Sequence, residues 1–189
     1  MIKNTIFCFF LLCFSISAFS MDAPRRGNVQ MNGVAFSTYG EFWLKWKLVA
    51  TRYRPDISEM RSIYANDIAW AAMKSGDHKY PKGSVFGKVS WSTERDAYFN
   101  DSIGQKARKA VAYMVKDDDV YKDTQGWGYA TFDQSGTIGP AINEQKKVAK
   151  ACAGCHLLAK NNGYVFAGSI EHQKDFLVAN GVASGVAAF

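Results

Sequence analysis

The clearest pattern in the chain is alternation. Phe42, Leu44, Trp46, Leu48 and Ala50 interleave with Glu41, Lys45, Lys47 and Thr51. A period of two over that length predicts a half-buried strand from Phe42 to Ala50, with Trp43 breaking its polar side. Arg54-Pro55-Asp56 ends it with turn chemistry. Glu59 to Ala65 reads as a second strand, and here Arg61 falls in phase with Ile63 and Ala65. A charge in that phase is either an edge residue or faces a polar cavity. Asn66 or Asp67 caps a short Ala-rich helix through Lys74, closed by Gly76. Gly76 to Gly83 is a turn-rich loop containing His78.

Ser84 to Trp91 is a third strand. Val85, Gly87, Val89 and Trp91 share one side; Ser84, Phe86, Lys88 and Ser90 share the other. Ser92 to Gly104 is polar and reads as a loop or short helix. Lys109 to Val115 is a fourth strand, with Val111, Tyr113 and Val115 opposite Ala112 and Met114. The acidic run Asp117-Asp118-Asp119 is a solvated face, since consecutive carboxylates cannot all point at one cation. Gly126 to Phe132 is a fifth strand, and Asp133 to Pro140 a loop. Asn143 is placed to cap a helix from Lys146 to Leu158. Asn161-Asn162-Gly163 is a turn, Ser169 caps a last helix through Ala179, and Gly181 to Phe189 is a small-residue tail. Met21 to Tyr39, polar and Gly-containing, is expected to be a loosely ordered lead-in. The sum is an α+β domain: a mostly antiparallel sheet of four to five strands with a few helices.

The first twenty residues stand apart. Lys3 gives a short positive start, Ile6 to Phe14 an apolar run, and Ala18-Phe19-Ser20 a small-x-small cleavage site. That predicts a signal peptide over 1–20, cleaved near Ser20/Met21, and a periplasmic domain over 21–189. As a membrane span the run is too short, since about 20 apolar residues are needed. Of the four cysteines in the chain, Cys8 and Cys13 leave with the leader. The chain has 189 residues and a formal charge of +6. A basic balance suggests nucleic acid, but export argues against it. The charges are also dispersed, which suits solvated faces or docking of an acidic electron-transfer partner.

The two remaining cysteines stand in Cys152-Ala153-Gly154-Cys155-His156. C-x-x-C-H is the attachment signature of c-type haem. Each thiol adds to one vinyl group, and the adjacent imidazole becomes an axial iron ligand. On a helix the three side chains fall at i, i+3 and i+4 and share one face. Zinc is the competing reading, but it usually needs four ligands, and the mature chain offers no second Cys pair. The motif lies late, and no Met follows His156. A sixth iron ligand would have to come from Met60, Met73, Met114, His78 or His172, each of which has an ordinary packing or surface reading. The default is five-coordinate iron with an open position, which suits small-molecule chemistry. A plain electron carrier with a sixth protein ligand is the alternative. The strand alternation argues against the four-helix bundle of ordinary cytochromes c-prime.

From about Trp46 to Phe166 the chain resembles the cytochrome P-460 family and the related cytochromes c-prime-beta. The resemblance rests on Glu59-Met60-Arg61-Ser62-Ile63-Tyr64, Gly83-Ser84-Val85-Phe86-Gly87-Lys88, Val115-Lys116-Asp117, Gly126-Trp127-Gly128-Tyr129, the haem motif and Tyr164-Val165-Phe166. It implies a mostly antiparallel β fold, a homodimer, and oxidation of hydroxylamine or nitric oxide. Electrons would pass to a soluble cytochrome. It also implies a lysine bonded to a haem carbon, at Lys88, and a distal-pocket arginine, at Arg61. The alternative role of each is a solvated lysine or an ion-paired strand arginine. One departure matters. Hydroxylamine-oxidising members carry a pocket glutamate where this chain has Ala112, and loss of a positioned base should slow that oxidation. Phe86, in phase with Lys88, is either core or an apolar cap. An apolar cap suits nitric oxide binding, as in the c-prime-beta relatives.

Overall fold

The computed structural model of the chain describes residues 30–133, 136 and 144–168. The expected leader, Asn143, His172, and the helix expected from Ser169 to Ala179 lie outside the described residues. Two short strands, β1 (Gln30–Met31) and β2 (Val34–Ala35), form a small antiparallel ladder. The main sheet has five strands: β3 (Lys47–Arg54), β4 (Glu59–Ala65), β5 (Val85–Arg95), β6 (Ile103–Lys116) and β7 (Trp127–Asp133). They neighbour one another in chain order and every pair is antiparallel. Helix α1 (Asp67–Ser75) joins β4 to β5, and α2 (Gln145–His156) follows β7. The fold is α+β, and α2 carries the Cys152–His156 motif.

The first strand is not where alternation places it. Phe42–Leu44 is a 3-10 turn, and β3 runs from Lys47 to Arg54. Phe42 is fully buried, while Leu44 is 71% exposed and Leu48 is 56% exposed. A 3-10 turn brings i and i+3 into line, so the apparent period of two there belongs to no sheet face. The lead-in is also more ordered than expected over its described part, since Met31 and Val34 are buried. The loop or helix expected over 92–104 is instead the tip of a long hairpin. β5 continues to Arg95 and β6 starts at Ile103. Polar residues suit these outer rungs because both sides of the hairpin end face water.

Elsewhere pattern and structure agree. β4 spans Glu59–Ala65 as read. Asn66 is the cap of α1, its side chain accepting from the Ala69 N–H at 2.9 Å, and Gly76 closes the helix with a left-handed φ of 75°. The sheet buries both faces. One face, with Phe86, Met114, Trp127 and Tyr129, packs against Ala69 of α1, Ala153 of α2, and Val165. The other, with Val89, Val111, Tyr113, Ala130 and Phe132, is covered by Met31, Val34 and Phe42. Gly87 makes room for that cover: a Cβ there would lie 2.3 Å from the Phe42 ring.

Candidate haem-binding site

On the first of these faces lies a cavity of about 620 Å³, within the range of about 300–1,000 Å³ usual for cofactor pockets. Strand register sets its wall in rows. Phe86, Met114 and Tyr129 are opposite one another across β5, β6 and β7. Two residues along, about 7 Å further on, come Ile63, Lys88, Ala112 and Thr131. The next step reaches Arg61, paired on its outer side with Arg52 of β3. All of these line the cavity, as do Cys152, Cys155 and His156.

His156 is held at the first row. Its ring lies 5.1 Å from the Tyr129 ring and 4.9 Å from Phe166, centroid to centroid. Nδ1 is 2.6 Å from the Tyr164 carbonyl oxygen. A carbonyl only accepts, so Nδ1 carries the proton and Nε2 keeps its lone pair. This is the tautomer a metal-ligating imidazole requires, and the carbonyl fixes its orientation. The Tyr164 carbonyl is aimed by two successive left-handed residues, Gly163 at φ 61° and Tyr164 at φ 69°. Gly163 has a steric reason as well: a Cβ there would lie 2.3 Å from the His78 carbonyl. Burial pushes the His156 pKa down, the Tyr164 carbonyl opposes that, and the Lys88 charge adds to it. The ring is therefore neutral.

Cys152 and Cys155 are free thiols, the first half-buried and the second exposed. Burial raises the Cys152 pKa, so that sulfur is a neutral thiol. Two thiols and an imidazole on one helix face, opening into one apolar-walled cavity, fit a c-type haem. A four-ligand zinc site does not fit, since no group of three or more His, Cys, Asp or Glu suited to a metal occurs among the described residues.

Lys88 is half-buried in the middle row. Burial lowers its pKa first, and the Arg61 charge lowers it further. Ala112 faces it directly across the β5–β6 ladder. Arg61 donates from Nε to Glu59 Oε1 at 2.5 Å, and Lys109 Nζ lies 3.0 Å from Glu59 Oε2. No Asp or Glu lines the cavity among the described residues. Phe86 belongs to the core, edge-on to Tyr80 at 5.2 Å, and also shows to the cavity.

The candidate sixth ligands separate. Met60 is on the opposite sheet face from Arg61 and accepts from Gln105 at 3.6 Å. Met73 packs on the core, and His78 is not among the cavity residues. Met114 reaches the cavity, but its rung partner is Tyr129, so it lies at the His156 end. The reading of the sequence missed Arg52, Glu59 and the contact of Tyr129 with His156. Glu59 was within reach, since it shares the alternation phase of Arg61. Arg52 was hidden by the misplaced strand.

Comparison with known proteins adds to this geometry. The family model for cytochrome P-460 matches residues 41–167. No curated protein matches the chain. The matched span holds all five strands of the main sheet, both cavity-lining thiols and His156. A haem c protein is what family and cavity jointly describe, and the chain belongs to the cytochrome P-460 family.

Proposed function

We propose that this is an exported mono-haem oxidoreductase acting on a small nitrogen compound, hydroxylamine or nitric oxide, at a lysine-linked haem. The observation that carries the reading is the placement of the Lys88 amine in the same cavity as Cys152, Cys155 and His156. Bound haem supplies the redox-active iron and an open ligand position. The chain's own groups do the rest. Cys152 and Cys155 anchor the group covalently, and His156 offers Nε2 to the metal. Lys88 is biased toward the free amine, the form able to bond to carbon. Arg61, at the row farthest from His156, offers donors to a bound ligand that gathers negative charge.

Ala112 supports one of the two substrates over the other. Hydroxylamine must shed protons as it is oxidised, and among the described residues no carboxylate lines the cavity to take them. Nitric oxide binds without moving a proton, and its oxidation to nitrite, which takes up water, sheds fewer protons than that of hydroxylamine, so it is the better fit. The same observation favours a second reading, nitric oxide binding or scavenging without hydroxylamine oxidation.

Leu157, Leu158 and Phe166 are exposed beside the exposed thiol of Cys155. This apolar rim suits transient docking of a soluble cytochrome that accepts electrons. β3 is an edge strand of the sheet and supplies a surface for a homodimer. A periplasmic location agrees with the leader and with haem attachment outside the cytoplasm.

Mass spectrometry of digested, haem-loaded protein tests the linkage. The Lys88 peptide should remain joined to the Cys152–His156 peptide through the porphyrin, and its separate recovery would remove the lysine bond. Steady-state turnover with an electron acceptor tests the reaction. Nitric oxide consumption should exceed hydroxylamine oxidation. Tight nitric oxide binding with no turnover of either compound would leave only the second reading.

A further inference from the structure

Three charged side chains form a line that ends in the cavity. Glu59 is 7% exposed, buried at the start of β4, and its two carboxylate oxygens are divided between Arg61 and Lys109. The Lys109 contact depends on a break in the ladder. Ser90 pairs with Ala110 and Trp91 with Arg108, so Lys109 is an extra residue with no opposite number on β5. Without that bulge Lys109 would share the face of Val111 and Tyr113, which pack in the far core. Bulges re-aim single side chains in this way and concentrate beside functional sites. Here the bulge turns a lysine through to the cavity side of the sheet, where it meets Glu59.

The consequence falls on Arg61. Its Nε is taken by Glu59, while its two terminal NH₂ groups make no hydrogen bond among the described residues, and the residue lines the cavity. A guanidinium fixed at Nε presents a rigid planar pair of donors, matched to an acceptor with two adjacent oxygens. We infer that Glu59 and the bulged Lys109 are positioning residues that lock the Arg61 guanidinium with its donor pair toward the ligand end of the cavity, where it holds a small oxygen-bearing anion of the nitrite type, the oxidation product of nitric oxide.

This rests on reading the cavity as the haem pocket with Arg61 beside the open ligand position. The haem-loaded protein provides the test through two readouts that need no turnover: nitrite affinity of the ferric form, and the C–O stretching band of the ferrous carbon monoxide adduct. Arg61→Gln should weaken nitrite binding about tenfold, the scale of one charge-assisted hydrogen bond, and move the C–O band. Glu59→Gln should weaken nitrite by a similar factor and broaden or split the band, because the guanidinium loses its single orientation. Lys109→Met should shift both in the same direction by less. Glu59→Gln combined with Arg61→Gln should be no worse than Arg61→Gln alone.

An effect of Arg61→Gln with none from Glu59→Gln overturns the positioning role and leaves Arg61 in the pocket. No effect from Arg61→Gln removes Arg61 from the ligand position, and the inference falls with it. If Glu59→Gln does not fold, Lys109→Met decides: this side chain is 43% exposed, and an unmoved band there overturns the proposal.

Discussion

At the scale of single residues, the site turns on which atoms are left over. His156 spends Nδ1 on the Tyr164 carbonyl and keeps Nε2. Tyr129 is different: it is 4% exposed, and its hydroxyl is buried without a hydrogen-bond partner among the described residues. An unmade buried hydrogen bond costs about 1–3 kcal/mol. Tyr129→Phe keeps the ring against His156 and should leave stability unchanged or raise it by about 1 kcal/mol in urea unfolding of haem-loaded protein. A loss of that size would show that the hydroxyl finds an acceptor once haem is bound. Lys88 gives a pH prediction. Its pKa in the fold is below the ordinary 10.5. Between those two values the unfolded chain holds the extra proton, so this residue's contribution to stability rises with pH across that window. Below it the charged amine is a constant penalty. In a Cys152→Ala, Cys155→Ala background, Lys88→Met should raise the melting temperature at about pH 7 and raise it less at about pH 10. An equal gain at both would show that the amine is not desolvated. The placement of Cys152, Cys155 and His156 together on one helix was legible because spacing alone encodes it. The Tyr164 carbonyl was not, since a backbone acceptor leaves no mark on residue type.

Elements were legible where one face is buried and ambiguous where neither is. β4 and α1 were placed to within a residue or two because alternation, cap and closing glycine all agree there. The first strand failed because Phe42, Trp43 and Trp46 belong to a turn that lies across the sheet and only imitates its period. The bulge at Lys109 was invisible for a related reason. One inserted residue changes which face a side chain takes, and nothing in Arg108-Lys109-Ala110 announces it. The cap of α1 shows how one side chain can tie several elements. The Asn66 side chain accepts from the N–H groups of Ala69 and Val85 and donates to the Gly83 carbonyl. Asn66→Ala should therefore cost more than a simple cap, about 2–3 kcal/mol in denaturant unfolding. A loss under about 1 kcal/mol would show that solvent replaces the contacts to Gly83 and Val85.

For the whole molecule, the fold class was legible because five runs of apolar residues are separated by turn chemistry. The second core was less so, since its cover comes from the segment that composition marks as a lead-in. Asn32 shows why that segment is ordered. Its backbone N–H donates to Gln145 Oε1 and its side-chain amide to the Tyr129 carbonyl, at 2.9 Å and 2.7 Å. It thus ties the lead-in to β7 and to the start of α2. Gly87 is the tightest joint between sheet and cover. Gly87→Ala should destabilise the fold by about 1–3 kcal/mol through overpacking against Phe42, measured by thermal unfolding. Unchanged stability would mean that the Phe42 cover shifts freely.

Chain-order strand pairing has a temporal side. Each rung of the cavity wall joins segments that are near neighbours along the polypeptide, and such short-range pairings close fastest. The thiol-bearing helix comes after all of them. As the chain emerges from its N-terminal end, the sheet wall of the cavity can therefore pair before α2, Val165 and Phe166 arrive to close its other side.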